Sequence, residues 1–438
     1  MDKVLHTPRL NGEVRAPSSK SEAHRALIVA ALAHLYGTDG GVRRVRCTDL
    51  NDDIEATVRC LSALGAEITR EGENFLAKPI VKIPQNAVLD CGESGSTLRF
   101  LLPVCCALGS VAGAPEDFSV SLVGHGRLPE RPLSPLYEEL VAHGAILSPI
   151  GANPLVVRGK LTAGDYSLDG GVSSQFISGL LFALPMLEDD STLTVTGRLE
   201  SAPYVSMTLD ALSMVTESVW EELPSFTIDG RRKEPAASTP EATALFVGGD
   251  WSGAAFFLTA GVLGAPDTSV TLTGLSSDSR QGDKAILAVL EAMGGDIRRS
   301  EYGEITAYPS TLKGIEIDAS QIPDLVPILA VAASVADGET RIVGASRLRL
   351  KESDRLRTVT DMLTALGGDI TETADGLIIR GVPRLTGGVV DAAGDHRIAM
   401  SGAVASLVCD GPVTITGAEC VAKSYPSFWE EFTRLSKE

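Results

Sequence analysis

Six times along the 438 residues, at intervals of about 70–80, a short stretch rich in Ala, Leu and Val follows directly on a polar or Gly-rich loop. The starts fall near Ser21, Ser96, Ser174, Ser252, Pro323 and His396. A helix that is apolar all round has no face to give to water and is expected in a core. A second kind of segment alternates with these: LSALGAEI from Leu61, LVAHGAIL from Leu140, VLEAMGGDI from Val289 and MLTALGGDI from Met362. Each reads as the last turn of an amphipathic helix, a Gly just past its end, and the entry to a strand. The alternating segments SVSLVG (119–124), STLTVTG (191–197) and SVTLTG (269–274) supply further strands. A period this long, with two helix types in each, predicts six copies of one strand–helix–strand–helix unit with extra strands, an α/β or α+β arrangement.

Three copies fit before about residue 230 and three after, which suits two domains of roughly 200 residues. The segment 229–244, DGRRKEPAASTPEATA, is polar, carries two Pro and has no periodicity, so it is the expected junction. Hydrophobic content of 44% and charged content of 22% belong to a globular chain. No apolar run reaches the roughly 18–20 residues of a membrane span. The start, MDKVLHTPRLNGEVRAP, lacks the apolar core of a secretory signal. The seven cysteines are odd in number, and the nearest pair, Cys105 and Cys106, is vicinal. That argues against a disulfide framework or a zinc site and for a reducing cytoplasm.

The net charge of −19 disfavours nucleic acid and anionic membranes as partners. It leaves room for a small anion, because screening removes distant charges beyond about 10 Å. What matters is where the basic residues gather, and they gather at the starts of the apolar helices. A first helical turn has open N–H groups and the positive end of the dipole, so it attracts anions. Lys20, Ser21 and Arg25 lie at the first start, where an anion site and an N-cap with solvated cations fit equally well. Gly92-Glu-Ser-Gly-Ser-Thr-Leu-Arg99 has two glycines that let backbone approach a ligand and two Ser that can cap, although many helices begin this way. Arg127 and Arg131 flank a Pro-bearing turn that reads equally as plain surface. Ser173, Ser174 and Gln175, with Ser201 and Tyr204 downstream, offer neutral hydrogen-bonding groups for phosphate or hydroxyls, or simply caps.

The C-terminal half is more specific. Arg347-Leu-Arg-Leu-Lys351 is expected to set three cations on one face of a strand, followed by a helix start at Glu352-Ser-Asp-Arg355. Gly394-Asp-His396-Arg397 runs straight into an apolar helix. Asp324 opens another, as a cap or as a general base, and Lys423 is a further cation near the C-terminus.

The stretches PSSKSEAHRAL, GESGSTLRFLLP, RLPERPL, GGVSSQFISGLLFALP, SAPYVSMTL, GDWSGAAFFL, DSRQGD, IPDLVPILAVAA, LRLKESDRL, GDHRIAM and CVAKSYPSF together resemble the EPSP synthase family of enolpyruvyl transferases, in order, from about Pro17 to Phe428. The resemblance implies a two-domain inside-out α/β barrel with three βαβαββ repeats per domain, limits of 19–239 and 240–438 plus 1–18, and an active site in the interdomain cleft. It implies transfer of the enolpyruvyl group of phosphoenolpyruvate to the 5-hydroxyl of shikimate 3-phosphate in aromatic amino acid biosynthesis. No metal or organic cofactor, no nucleic acid and no membrane take part, and the enzyme is expected to be a cytoplasmic monomer.

By motif position, Lys20 resembles the lysine that contacts both substrates. Ser21, Arg25, Ser173, Ser174, Gln175, Ser201 and Tyr204 resemble the shikimate 3-phosphate site, with Asp324 and Lys351. Gly95, Arg131, Gln175, Arg355, Arg397 and Lys423 resemble the phosphoenolpyruvate site. Asp324 resembles the base for the hydroxyl proton and Glu352 the proton-transfer partner at the vinyl carbon, with Lys423 and His396 beside them. Two positions depart from the pattern: Arg347 stands where some members have Asn, and Glu93 where better-known members have Asn. The nearest rival is the related transferase acting on a UDP-amino sugar, which carries a reactive Cys in the loop that here reads GHGRLPERP. A non-catalytic anion-binding homologue is the rival from another class. Retention of Asp324, Glu352, Lys20 and Lys423 speaks against it.

Overall fold

The computed structural model describes residues 1–38, 40–231 and 244–437; residues 232–243, most of the expected junction, lie outside the described residues. In chain order the helices are α1 (Lys20–Leu32), α2 (Asp52–Ala63), α3 (Gly95–Leu108), α4 (Leu136–Ala142), α5 (Ser174–Ala183), α6 (Ala202–Ser213), α7 (Trp251–Val262), α8 (Ile286–Ala292), α9 (Val326–Ala333), α10 (Arg355–Ala365), α11 (His396–Ala405) and α12 (Phe428–Leu435). The odd-numbered helices are the apolar ones, and they fill the cores: every residue of α9 is buried, and in α3 only Ser96 is not. The even-numbered helices are amphipathic. Along α2, Ile54, Thr57, Cys60 and Leu61 face inward while Asp52, Glu55 and Arg59 face water. Just past α2, α4, α8 and α10 stand Gly65, Gly144, Gly294 and Gly367, with φ between 85° and 105°. Only glycine enters that left-handed region without strain, which is why these helices stop where they do.

One copy of the repeat runs Asn86–Asp90, α3, Ser119–Val123, α4, Ala145–Leu147, Leu155–Gly159. Ser119–Val123 pairs parallel with Asn86–Asp90 and antiparallel with Leu155–Gly159, and Ala145–Leu147 closes the sheet. The copies beginning at Asp165–Asp169 and Glu316–Asp318 repeat this order. The other three borrow a strand from far along the chain. Leu245–Phe246 pairs parallel with Arg43–Arg46 in the copy around α1. Gly12–Arg15 pairs parallel with Val270–Thr273 in the copy around α7. Lys3–Leu5 pairs with Val413–Thr416 in the copy around α11, whose sheet has three strands.

The chain divides into two compact units, Ser18–Val247 and Met1–Pro17 with Gly248–Glu438. Each has its own hydrophobic core. The expected limits move accordingly. Ser18 belongs to the first unit because its backbone N–H and hydroxyl bond Asp49. Residues 245–247 belong there because they extend the sheet at Arg43–Arg46. The expected strand at 347–351 is a 3₁₀ turn, Ser346–Leu350, so its three cations do not share a face.

Candidate active site

Within Ser18–Val247 the predicted residues form two groups. In the first, Ser19 caps α1, accepting the N–H of Glu22, and leaves Lys20 on the first turn. Lys20 Nζ lies 2.9 Å from Asp53 Oδ2, both side chains largely buried. Arg25, one turn on, is wholly buried. Its guanidinium donates to the carbonyls of Ser21 (2.7 Å) and Tyr204 (2.8 Å) and to the hydroxyl of Thr208 (2.9 Å), and it stacks 5.0 Å from the Phe100 ring. Burial lowers its pKa to about 10, which leaves it charged. Three of its five N–H donors are used by these bonds, all on the protein. Ser201, which precedes α6 and accepts the N–H of Tyr204, has φ 55°, a strained value for a residue other than glycine.

The second group surrounds the start of α3. A methyl group added to Gly95 would meet Arg131 Nη1 at 2.5 Å and Arg99 Nη1 at 3.2 Å, so both guanidinium groups lie directly against this backbone. Arg99 donates to Gln175 Oε1 (2.9 Å), and Gln175 donates to Ser96 (2.9 Å). Ser173 caps α5 and Ser174 is its buried first residue. The carboxylate of Glu93 packs against Gly126 in the 125–132 loop.

The other unit carries a denser charge cluster. Arg355 opens α10 with only 1% of its side chain exposed and meets three carboxylates. It holds Asp324 at 2.7 Å, Glu352 at 2.7 Å and Asp395 through Nε at 2.8 Å. Asp395 is fully buried, caps α11 through the Arg397 N–H, and accepts from Ser353. Asp324 also faces Lys351 Nζ (3.2 Å) and Arg397 Nη2 (3.3 Å). Burial alone would raise the Asp324 carboxyl, but Arg397, Lys351 and Arg355 hold it well below the usual carboxylate range. Burial lowers the pKa of Lys351, a shift that Asp324 opposes. The same acids raise that of Arg355 against the effect of burial. His396 is buried on the first turn of α11, its Nδ1 3.9 Å from Asp395. Lys423 ends a 3₁₀ turn, also buried.

The sequence pointed to Asp324, Lys351, Glu352, Arg355 and Arg397, and they meet in one cluster. Arg349 does not join it, whereas the Arg347 charge acts on Lys351. Arg347 donates to the Ser320 carbonyl, and Arg349 turns to Glu372 and Asp354. Sequence reasoning missed two acids that hold these cations, Asp53 behind Lys20 and Asp395 behind Arg355, and one further cation, Arg99 beside Gln175. The spacing of Asp53 and Thr57, four apart as are Lys20 and His24, is the signal that could have found the first. Buried Asp283 was also overlooked. It accepts from Ser252, and burial and the nearby Asp324 charge push its carboxyl up to about 6.

The EPSP synthase (3-phosphoshikimate 1-carboxyvinyltransferase) family profile matches residues 5–432, almost the whole chain. The chain belongs to the EPSP synthase family. It is 42% identical to the 3-phosphoshikimate 1-carboxyvinyltransferase of Clostridium kluyveri, covering 99% of this chain and 97% of that one. With the enzyme of the same name from Clostridium perfringens identity is 40%, over 100% and 99%. Among solved structures, the EPSP synthase of Acinetobacter baumannii superposes with TM-score 0.78 at 26% identity, covering 100% of this chain and 98% of that one. An enolpyruvyl transferase from Streptomyces tendae shares the fold, with TM-score 0.73 at 20% identity over 99% and 96%. The mixed α/β fold expected from the six repeats is thus that of EPSP synthases. No helix among the described residues is long and apolar enough to cross a membrane.

Proposed function

We infer that the chain carries its family's activity. It transfers the enolpyruvyl group of phosphoenolpyruvate to the 5-hydroxyl of shikimate 3-phosphate, releasing phosphate, on the route to chorismate and the aromatic amino acids. The hydroxyl oxygen adds to C2 of phosphoenolpyruvate as a proton goes to C3. A proton then leaves C3, the C2–O bond to phosphate breaks, and the double bond returns. Such a reaction needs cations for the anionic groups and carboxyl groups that move protons.

The observation that carries the reading is the Asp324–Arg355–Glu352 arrangement, two carboxylates on one guanidinium with Lys351 and Arg397 around Asp324. In our reading Asp324 takes the hydroxyl proton and Glu352 serves the vinyl carbon. Each substrate anion that pairs with Lys351 or Arg397 weakens their hold on Asp324 and lets its carboxyl rise toward a pKa suited to a base. Arg355, Arg397, Lys423, Arg131 and the Gly95 backbone bind phosphoenolpyruvate, with Gln175. Ser21, Arg25, Ser173, Ser174, Gln175, Ser201, Tyr204 and Lys351 bind shikimate 3-phosphate, and Lys20 contacts both. His396 lines the site. We assign the two units complementary shares of this one reaction, with the enzyme acting as a cytoplasmic monomer apart from nucleic acid and membrane.

Purified protein is expected to release phosphate from phosphoenolpyruvate only when shikimate 3-phosphate is supplied. Turnover with a UDP-amino sugar instead would overturn the assignment, and silence with both acceptors would favour a non-catalytic homologue.

A further inference from the structure

Beneath Lys20 and Gly95 runs a line of buried polar groups that nothing above uses. His24 Nδ1 lies 2.6 Å from Thr57 Oγ1, Thr57 Oγ1 lies 2.7 Å from Thr97 Oγ1, and Thr97 Oγ1 lies 2.8 Å from Ser94 Oγ. All four residues are at or near zero exposure. The line joins three helices. His24 is one turn beyond Lys20 on α1, and Thr57 one turn beyond Asp53 on α2. Lys20–Asp53 and His24–Thr57 are therefore two successive rungs of one ladder. From Thr57 the line crosses to Thr97 and ends on Ser94, the cap of α3 next to Gly95.

The order of protons along it is fixed. The Thr97 hydroxyl is nearer Ser94 Oγ than the Asp53 carbonyl (3.5 Å) and donates to Ser94. Its oxygen then accepts from Thr57, and the Thr57 oxygen accepts from His24 Nδ1–H. His24 is thus the Nδ1–H tautomer. Its Nε2 keeps a lone pair, buried and without a hydrogen-bond partner among the described residues. Burial pushes the imidazole pKa down to about 3, so the ring stays neutral and the direction does not reverse in ordinary buffers.

We propose that His24 is a positioning residue for the transfer: as a one-way donor through Thr57 and Thr97 it fixes the capped start of α3, with Gly95, against Lys20. It touches no substrate. It acts by holding two substrate-contacting elements in register, so its loss is felt where phosphoenolpyruvate binds. The inference rests on assigning Lys20 and Gly95 to the substrates.

The test is steady-state kinetics on the full chain well below its melting temperature. His24→Leu removes the donor, and Thr57→Val breaks the line at nearly constant volume. Each should lower kcat/KM for phosphoenolpyruvate roughly tenfold, mainly through KM. The double variant should lose no more than either single one, since one line is cut twice. His24→Asn, which can place an N–H near the Nδ1 position, should restore most of the loss. A purely structural His24 would lower the melting temperature and leave the kinetic constants within about threefold. That result in either folded single variant, additive losses, or failure of Asn to restore would overturn the proposal. Lys20→Met separates the premises. If it abolishes turnover while the His24 and Thr57 variants do not alter it, only this inference falls. If Lys20→Met turns over normally, the site assignment falls.

Discussion

At the scale of single residues, the most exacting position is Gly95. Its Cβ would sit 2.5 Å from a guanidinium nitrogen of Arg131, so Gly95→Ala must push that arginine aside. We expect KM for phosphoenolpyruvate to rise about tenfold or more, with a smaller change for shikimate 3-phosphate, in initial-rate measurements. Glyphosate should compete with phosphoenolpyruvate in the unaltered enzyme and weaken in the variant; purely noncompetitive inhibition would contradict this placement. Two buried titratable groups give a second prediction, with opposite signs. His24 falls from 6.5 to about 3 on folding, so the unfolded chain binds the extra proton and stability drains as pH drops through that window, by about 5 kcal/mol at most. Asp283 rises from 3.8 to about 6, so its contribution is complete below 3.8 and lost as pH climbs through 6, by about 3 kcal/mol. Urea unfolding from pH 4 to 7 should show Asp283→Asn gaining on the native chain as pH rises. A constant difference would refute the burial argument. The cations of both groups were readable because Lys and Arg at apolar helix starts stand out. Two of their acid partners were not, because Asp53 looks like an ordinary first-turn acid and Asp395 like an ordinary cap until the packing places them.

At the scale of elements, helix types, their order and their glycine stops were legible, because periodicity and φ > 0 are local properties. The error came at 347–351, where alternation suggested a strand and the backbone makes a 3₁₀ turn over Ser346–Leu350. Alternating Arg and Leu over five residues satisfies either geometry, and the choice is made by Arg349, which bonds Glu372 and Asp354. Arg349 and Lys351 should therefore behave differently. Arg349→Ala should cost about 1 kcal/mol in chemical denaturation and leave kcat nearly unchanged. Lys351→Ala should lower kcat/KM for shikimate 3-phosphate by a hundredfold or so. Equal kinetic damage from both would return Arg349 to the site. Asp395→Ala removes a helix cap and uncovers the buried Arg355 at once, and should cost about 3–5 kcal/mol, the range for breaking a buried ion pair.

At the scale of the whole molecule, the number of units was readable from the period, but strand exchange was not. Which partner a strand chooses across more than two hundred residues leaves no local trace. The first unit is continuous, Ser18–Val247, and contains all the strands of its three sheets. Residues 18–247 produced alone should melt cooperatively by circular dichroism. Ending the piece at 240 deletes Leu245–Phe246 and should lower the melting temperature by several degrees. Identical melting would mean that this parallel edge pair adds nothing.

The pairing of Gly12–Arg15 with Val270–Thr273 also sets a timetable for synthesis. At about 5–20 residues per second a ribosome needs on the order of tens of seconds to make the stretch between them. This N-terminal strand must wait while all of Ser18–Val247 is made and can fold. Glu13 and Arg15 flank its one large apolar residue, Val14, and Pro8 and Arg9 lie just ahead of it. Charged residues and Pro of this kind disfavour pairing of a lone strand with the wrong edge, which matters most while its proper neighbour is still untranslated.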